Sequence, residues 1–236
     1  MKTKLVLQIL LDISMTITLM LLMAFELIGR TAHEWIGISM FGMFILHHIL
    51  NWSWTRNLFH SRFTPFRILQ ILCVFVIFIT MTGTIISSVL ISRQVFSFLS
   101  ISTGRSFGRM LHMLCVYWNL VFFSFHLGIH WNVMVGVARK LCKRKNVGSV
   151  LLLRMIAVSI AVYGIFAFVR QGIPNYLFLR TQFVFFDYEQ PLVLFFADYL
   201  AMMELFILIG HYCASGVRKI GKRWEMKTER KGFFRL

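Results

Sequence analysis

His33-Glu-Trp-Ile-Gly37, running on to Ile45-Leu-His47-His48-Ile-Leu-Asn51-Trp52, has a counterpart later in the chain. That second stretch begins Gly108-Arg-Met-Leu-His112 and runs on to Ser124-Phe-His126-Leu-Gly-Ile-His130-Trp131-Asn132. In each, two histidines stand 14 residues apart on an apolar background: His33 and His47, then His112 and His126. On an α-helix, 14 steps return to within ~40° of the start and advance ~21 Å. Each helix would therefore carry one stripe with an imidazole near each membrane face.

Working outward, the composition sets the class. Of 236 residues, 58% are hydrophobic and only 14% charged, with a mean hydropathy of +0.74. Those values lie outside the soluble range and describe a polytopic membrane protein. Six apolar runs are each long enough to cross ~30 Å of hydrocarbon: 5–28, 33–54, 66–91, 109–137, 150–170 and 191–213. The expected fold is an all-α transmembrane bundle of about six helices. Four of them, within residues 1–140, would form the histidine-bearing core, and 141–236 would add two further helices and a basic tail. The first run follows Lys2 and Lys4 as a signal sequence would, but it is too long for an h-region and contains Asp12 and Glu26. It reads as a retained helix.

The formal net charge of +16 does not imply nucleic acid, because the basic residues lie in the gaps between apolar runs. One set of gaps collects Lys2, Lys4, Arg56, Arg62, Arg67, the turn Arg139-Lys-Leu-Cys-Lys-Arg-Lys145 and the C-terminal group from Arg218 to Arg235. The other has only Arg30, Arg93, Arg105, Arg109, Arg170 and Arg180, with Asp187 and Glu189. The positive-inside rule then puts both termini in the cytoplasm. Trp35, Trp52, Trp54 and Trp131 fall near helix ends, as interfacial anchors do. The four cysteines form no Cys-x-x-Cys pair, so neither a disulfide framework nor an iron–sulfur site is expected.

With one helix between them, the two histidine helices run parallel. His33 then lies level with His112 at the outer side, and His47 with His126 at the inner side. Neighbours compete at the inner positions: His48 stands ~60° from His33, and His130 lies ~27 Å below His112. Two such helices could hold two b-type haems, each with two axial histidines, a ligation that favours electron transfer over oxygen chemistry. The bland reading of one intramembrane histidine is a hydrogen bond to a neighbouring helix, but four at matched depths are harder to explain that way.

Other residues on the stripes have two readings each. Gly37 and Gly108, one turn from His33 and His112, could admit a porphyrin plane or simply be helix-contact glycines. Asn119 and Met40 mark the midpoints between the histidines, flanked by Phe123 and Phe44, which plain packing would equally explain. Arg30, Arg105 and Arg109 could pair with haem propionates at the outer end, and Arg56, Arg67 and Lys140 at the inner, although arginines at helix ends snorkel anyway. Glu26 and Arg30 are spaced to pair with each other. Asp12 has a proton or quinone role open to it, though a polar contact to another helix is the plainer reading; His60 and His211 read as ordinary residues, and Asp198 and Glu204 receive no role.

At these residues the sequence also resembles a known family. Leu11-Asp12 with Met15, Gly29-Arg30-Thr-Ala-His33-Glu34, His47-His48-Ile-Leu-Asn51-Trp52, Leu111-His112-Met113 and His126-Leu-Gly-Ile-His130-Trp131 resemble the flavinylation-associated cytochrome family. The resemblance covers roughly residues 4–140, with a more distant one to the di-haem cores of ferric reductases and quinol-linked cytochromes b. It implies a small b-type cytochrome carrying electrons across the bacterial cell membrane through His33, His47, His112 and His126. It also implies an extracytoplasmic flavin or metal acceptor. The chain contains no Gly-x-Gly-x-x-Gly segment and no soluble stretch long enough for a flavin or nicotinamide domain, so a flavoprotein or quinol partner is expected. Two other classes compete: a transporter or channel, with broken helices and midplane ionisable groups, and an assembly subunit with no cofactor.

Overall fold

The structure is a computed structural model that describes residues 3–58, 63–101, 103–141, 147–181 and 183–233. It is helical throughout, with no strand among the described residues. The elements are α1 (Thr3–Met23), α2 (Phe25–Leu50), α3 (Trp52–Arg56), α4 (Pro65–Ile91), α5 (Arg105–Leu141), α6 (Val147–Arg170), α7 (Ile173–Leu177) and α8 (Leu192–Phe233), with a single 3-10 turn at Ser97–Leu99. Five helices, α1, α4, α5, α6 and α8, are long and apolar enough to cross a membrane. The chain is a membrane-spanning helical protein. The expected second span, α2, has the length at 26 residues but is less apolar, because Glu34 and three histidines lie within it.

The described helices form two compact units. One comprises residues 1–61, 80–117 and 174–196; the other comprises 62–79, 118–173 and 197–236. Each draws on residues from both sides of residue 140. Helices α4 and α5 each contribute to both units.

In the first unit, α1 and α2 form an antiparallel pair. Gln8 Nε2 donates to Asn51 Oδ1 at 2.8 Å, and Asp12 meets His47 one turn further along. The reversal between them depends on Gly29, whose φ of +74° and ψ of 166° interrupt α2. A residue with a Cβ is strained at such a φ, so glycine is needed here. The break restarts the helix at Arg30, one turn ahead of His33. It also undoes the Glu26–Arg30 spacing: Glu26 instead accepts a hydrogen bond from Tyr188 Oη at 3.2 Å.

In the second unit, α8 packs against α5 and α6 through glycines. A Cβ on Gly128 would strike Ile207 O, one on Gly210 would strike Phe125 O, and one on Gly164 would strike Ala201 O. With no hydrophobic driving force between helices in lipid, such close backbone approach supplies the packing that associates them. Helix α8 is far longer than the apolar run that marks it. It continues well past Cys213 because the residues beyond are charged helix formers with no proline to stop them.

Candidate functional site

The first unit brings together two of the sequence-singled histidines. His33 on α2 and His112 on α5 face each other with ring centroids 6.1 Å apart and planes inclined at 67°. Both are half-buried, and Phe25 packs edge-on against His33 at 5.0 Å.

Helix α4 orients His112. Ser87, itself fully buried, donates its hydroxyl proton to Thr84 O at 2.8 Å. Its oxygen is then an acceptor, and His112 Nδ1–H donates to it at 3.1 Å, with Ser88 Oγ at 3.4 Å. A proton fixed on Nδ1 leaves the lone pair on Nε2, which is the state a metal-ligating imidazole requires. His33 Nδ1 is buried and meets no hydrogen-bond partner among the described residues. His33 therefore carries a buried nitrogen that no described residue satisfies.

Glu34, next to His33, fixes the surrounding loop. Its carboxylate accepts from Ser92 Oγ at 2.7 Å and from the backbone N–H groups of Arg93, Gln94 and Val95 at 3.0–3.1 Å. The end of α4 is thereby tied to the start of α2. Sequence reading missed this clamp, since the partners lie about sixty residues away with no pattern linking them.

At the other end of α2, His47 is oriented by α1. A carboxylate only accepts, so His47 Nδ1–H donates to Asp12 Oδ1 at 2.9 Å, again leaving Nε2 as the basic nitrogen of the neutral ring. This is the polar contact expected of Asp12. His48 lies beside it, ring centroids 5.8 Å apart, and packs edge-on against Phe44 at 4.6 Å. His126 and His130 belong to the second unit, where their centroids are 4.8 Å apart. Asn119 is buried in that same unit.

The remaining candidates sort by their surroundings. A Cβ on Gly108 would meet Ile91 Cγ2 at 2.8 Å and Leu90 Cβ at 3.1 Å, which gives this glycine a helix-contact role. Gly37 has nothing within 4 Å of its Cβ position, so space is open beside the histidine stripe. Arg30 and Arg109 are exposed, whereas Arg105 donates from Nε and Nη2 to Ile101 O at 3.2 and 2.9 Å. His60, the 142–146 part of the basic turn and the side chain of Lys140 lie outside the described residues.

Asp198, left without a role above, is completely buried in the second unit. It accepts from Tyr163 Oη at 2.6 Å, from Gln171 Nε2 at 2.7 Å and from Arg170 Nη2. Tyr163 and Arg170 stand two turns apart on α6 with Gln171 just past its end, but no sequence pattern links them to Asp198 on α8.

Among the described residues, no three His, Cys, Asp or Glu side chains cluster as a directly bound metal ion needs. A metal carried in a macrocycle requires less: two axial side chains suffice. Two imidazoles on opposite sides of one metal, each with a bond of about 2 Å, have centroids roughly 6 Å apart. The separation of His33 and His112 fits that requirement. Comparison with known family models, curated proteins and solved structures finds no match to the chain.

Proposed function

We propose that this chain is a membrane b-type cytochrome, similar to the flavinylation-associated cytochromes, that carries electrons across the bacterial cell membrane. The observation that carries the reading is the His33–His112 pair: two imidazoles at the spacing of axial ligands, one with its Nε2 freed by Ser87. Bound between them, haem would supply a one-electron ferric–ferrous couple. The protein's own part would be to present both imidazoles to the iron, with the tautomer of His112 fixed through Ser87.

By the histidine spacing of the sequence, His47 and His126 are the residues proposed for a second haem, with His48 and His130 as the competing neighbours. Asp12 favours His47 over His48, because only His47 has a carboxylate that fixes its tautomer. Donor and acceptor are a quinol or flavoprotein on one side and an extracytoplasmic flavin or metal centre on the other. Both termini lie in the cytoplasm on this reading, by the distribution of Lys and Arg.

The buried Asp198–Arg170 contact favours a second reading as a transporter, since ionisable groups within a membrane commonly mark substrate paths. Yet that carboxylate already accepts from three donors, which suits a structural anchor better. An absorption spectrum of the purified protein separates the two. A cytochrome shows a low-spin, six-coordinate b-type spectrum with non-covalently bound haem, there being no Cys-x-x-Cys-His for attachment. Protein expressed with ample haem that shows no Soret band, or a high-spin spectrum that readily binds carbon monoxide, overturns the bis-histidine reading.

A further inference from the structure

A pocket of about 300 Å³ opens in the first unit between the end of α4 and the start of α5. Arg93, Phe96, Ser97, Ser100, Ile101 and Arg105 are among its lining residues, and none of the candidate histidines is. We infer that this pocket binds the phosphate of an anionic phospholipid headgroup, in the leaflet at the His33 end of the molecule.

Charge is the first argument. Two guanidinium groups line one small pocket, and neither is in an ion pair among the described residues. The adjacent carboxylate, Glu34, already accepts four hydrogen bonds, three of them from the backbone N–H groups of 93–95, and is not the counter-ion of either arginine. Arg105 uses Nε and Nη2 on Ile101 O and keeps Nη1 for a ligand. Two arginines holding one oxyanion is the arrangement guanidinium favours, because its planar fork matches phosphate oxygens.

Backbone conformation is the second. Ser100, on the pocket wall, sits in the left-handed region at φ +48°, ψ +33°, where residues with a Cβ are disfavoured. Such strain recurs at ligand-binding positions, and here it is held while the Glu34 clamp and the 3-10 turn at Ser97–Leu99 fix the loop.

The rim of the pocket selects a lipid over a soluble anion. The residues interleaved with the pocket are exposed and apolar: Phe98 is 75% exposed, Leu99 45% and Phe107 62%. A soluble phosphate has no use for that rim, whereas acyl chains beside a headgroup cover it. Aromatic residues flanking a cationic pocket at the end of a span are what the headgroup boundary accommodates.

The test uses the full-length protein in detergent, titrated with phosphatidylglycerol or phosphatidylcholine and read by native mass spectrometry. Adducts are counted by mass, so the result is independent of haem content. Wild type should carry at least tenfold more phosphatidylglycerol than phosphatidylcholine. Arg93→Gln with Arg105→Gln should lower the phosphatidylglycerol adduct at least tenfold. Arg180→Gln with Lys219→Gln, which removes equal charge elsewhere, should leave it unchanged. Arg93→Gln alone removes no side-chain hydrogen bond or ion pair among the described residues and guards against misfolding; it should still lower the adduct at least threefold. Undiminished phosphatidylglycerol binding by these Arg93 variants overturns the proposal. So does displacement of the lipid from wild type by inorganic phosphate, which would make this a soluble-anion site.

Discussion

The single residues with most to explain are Ser87 and Asp12, neither of which would touch haem. Each accepts the Nδ1–H of a histidine and so leaves Nε2 as the nitrogen free to ligate. Partners of this kind typically matter ~10–100-fold in metal affinity, and that sets the scale of the expected effects. Ser87→Ala should weaken retention of the haem at His33 and His112 by about tenfold, measured by haem titration and transfer to a scavenging apoprotein. Asp12→Ala should do the same to the other haem and leave the first untouched. Ser88→Ala, which removes only the longer 3.4 Å contact, should have a smaller effect than Ser87→Ala. Unchanged haem affinity in both the Ser87 and Asp12 variants would show that these contacts are ordinary interhelical hydrogen bonds. Of this arrangement the sequence made the histidines legible, because their interval matches the helical repeat. Ser87 and Glu34 were not, because a hydrogen-bond partner on another helix leaves no periodic trace.

At the scale of the helices, glycine has two uses that substitution should separate. Gly128→Leu and Gly164→Leu place side chains against the carbonyls of Ile207 and Ala201, where backbone cannot yield cheaply. Each should cost about 1–3 kcal/mol, seen as a lower unfolding temperature in detergent. Gly37→Leu starts from a Cβ position with nothing within 4 Å and should leave unfolding nearly unchanged while impairing haem uptake, if the open space beside the histidine stripe admits the cofactor. The Asp198 cluster belongs to the same scale, since it joins α8 to the end of α6. Asp198→Ala leaves three donors without their acceptor and should destabilise the protein by about 3 kcal/mol without altering the haem spectrum. Helices α4 and α6 end where the apolar runs end, because in a membrane the hydrophobic signal and the helix coincide. Helix α8 outruns its apolar segment, since a charged helix carries no hydropathy signal. The interruption at Gly29 was hidden because hydropathy does not register φ.

For the whole molecule, the orientation and the haem content carry the account. Reporter fusions should place both termini on the cytoplasmic side; a fusion at Lys143 reporting from outside would invert the orientation and exchange the two haems' sides. The most direct test is the haem-to-protein ratio, determined by pyridine haemochrome for wild type and for single alanine variants of His33, His112, His47 and His126. Wild type should bind two b-type haems per chain. His33→Ala and His112→Ala should each perturb one and the same haem, and His47→Ala and His126→Ala the other. One haem per chain, or different haems lost in the His33 and His112 variants, would contradict this assignment.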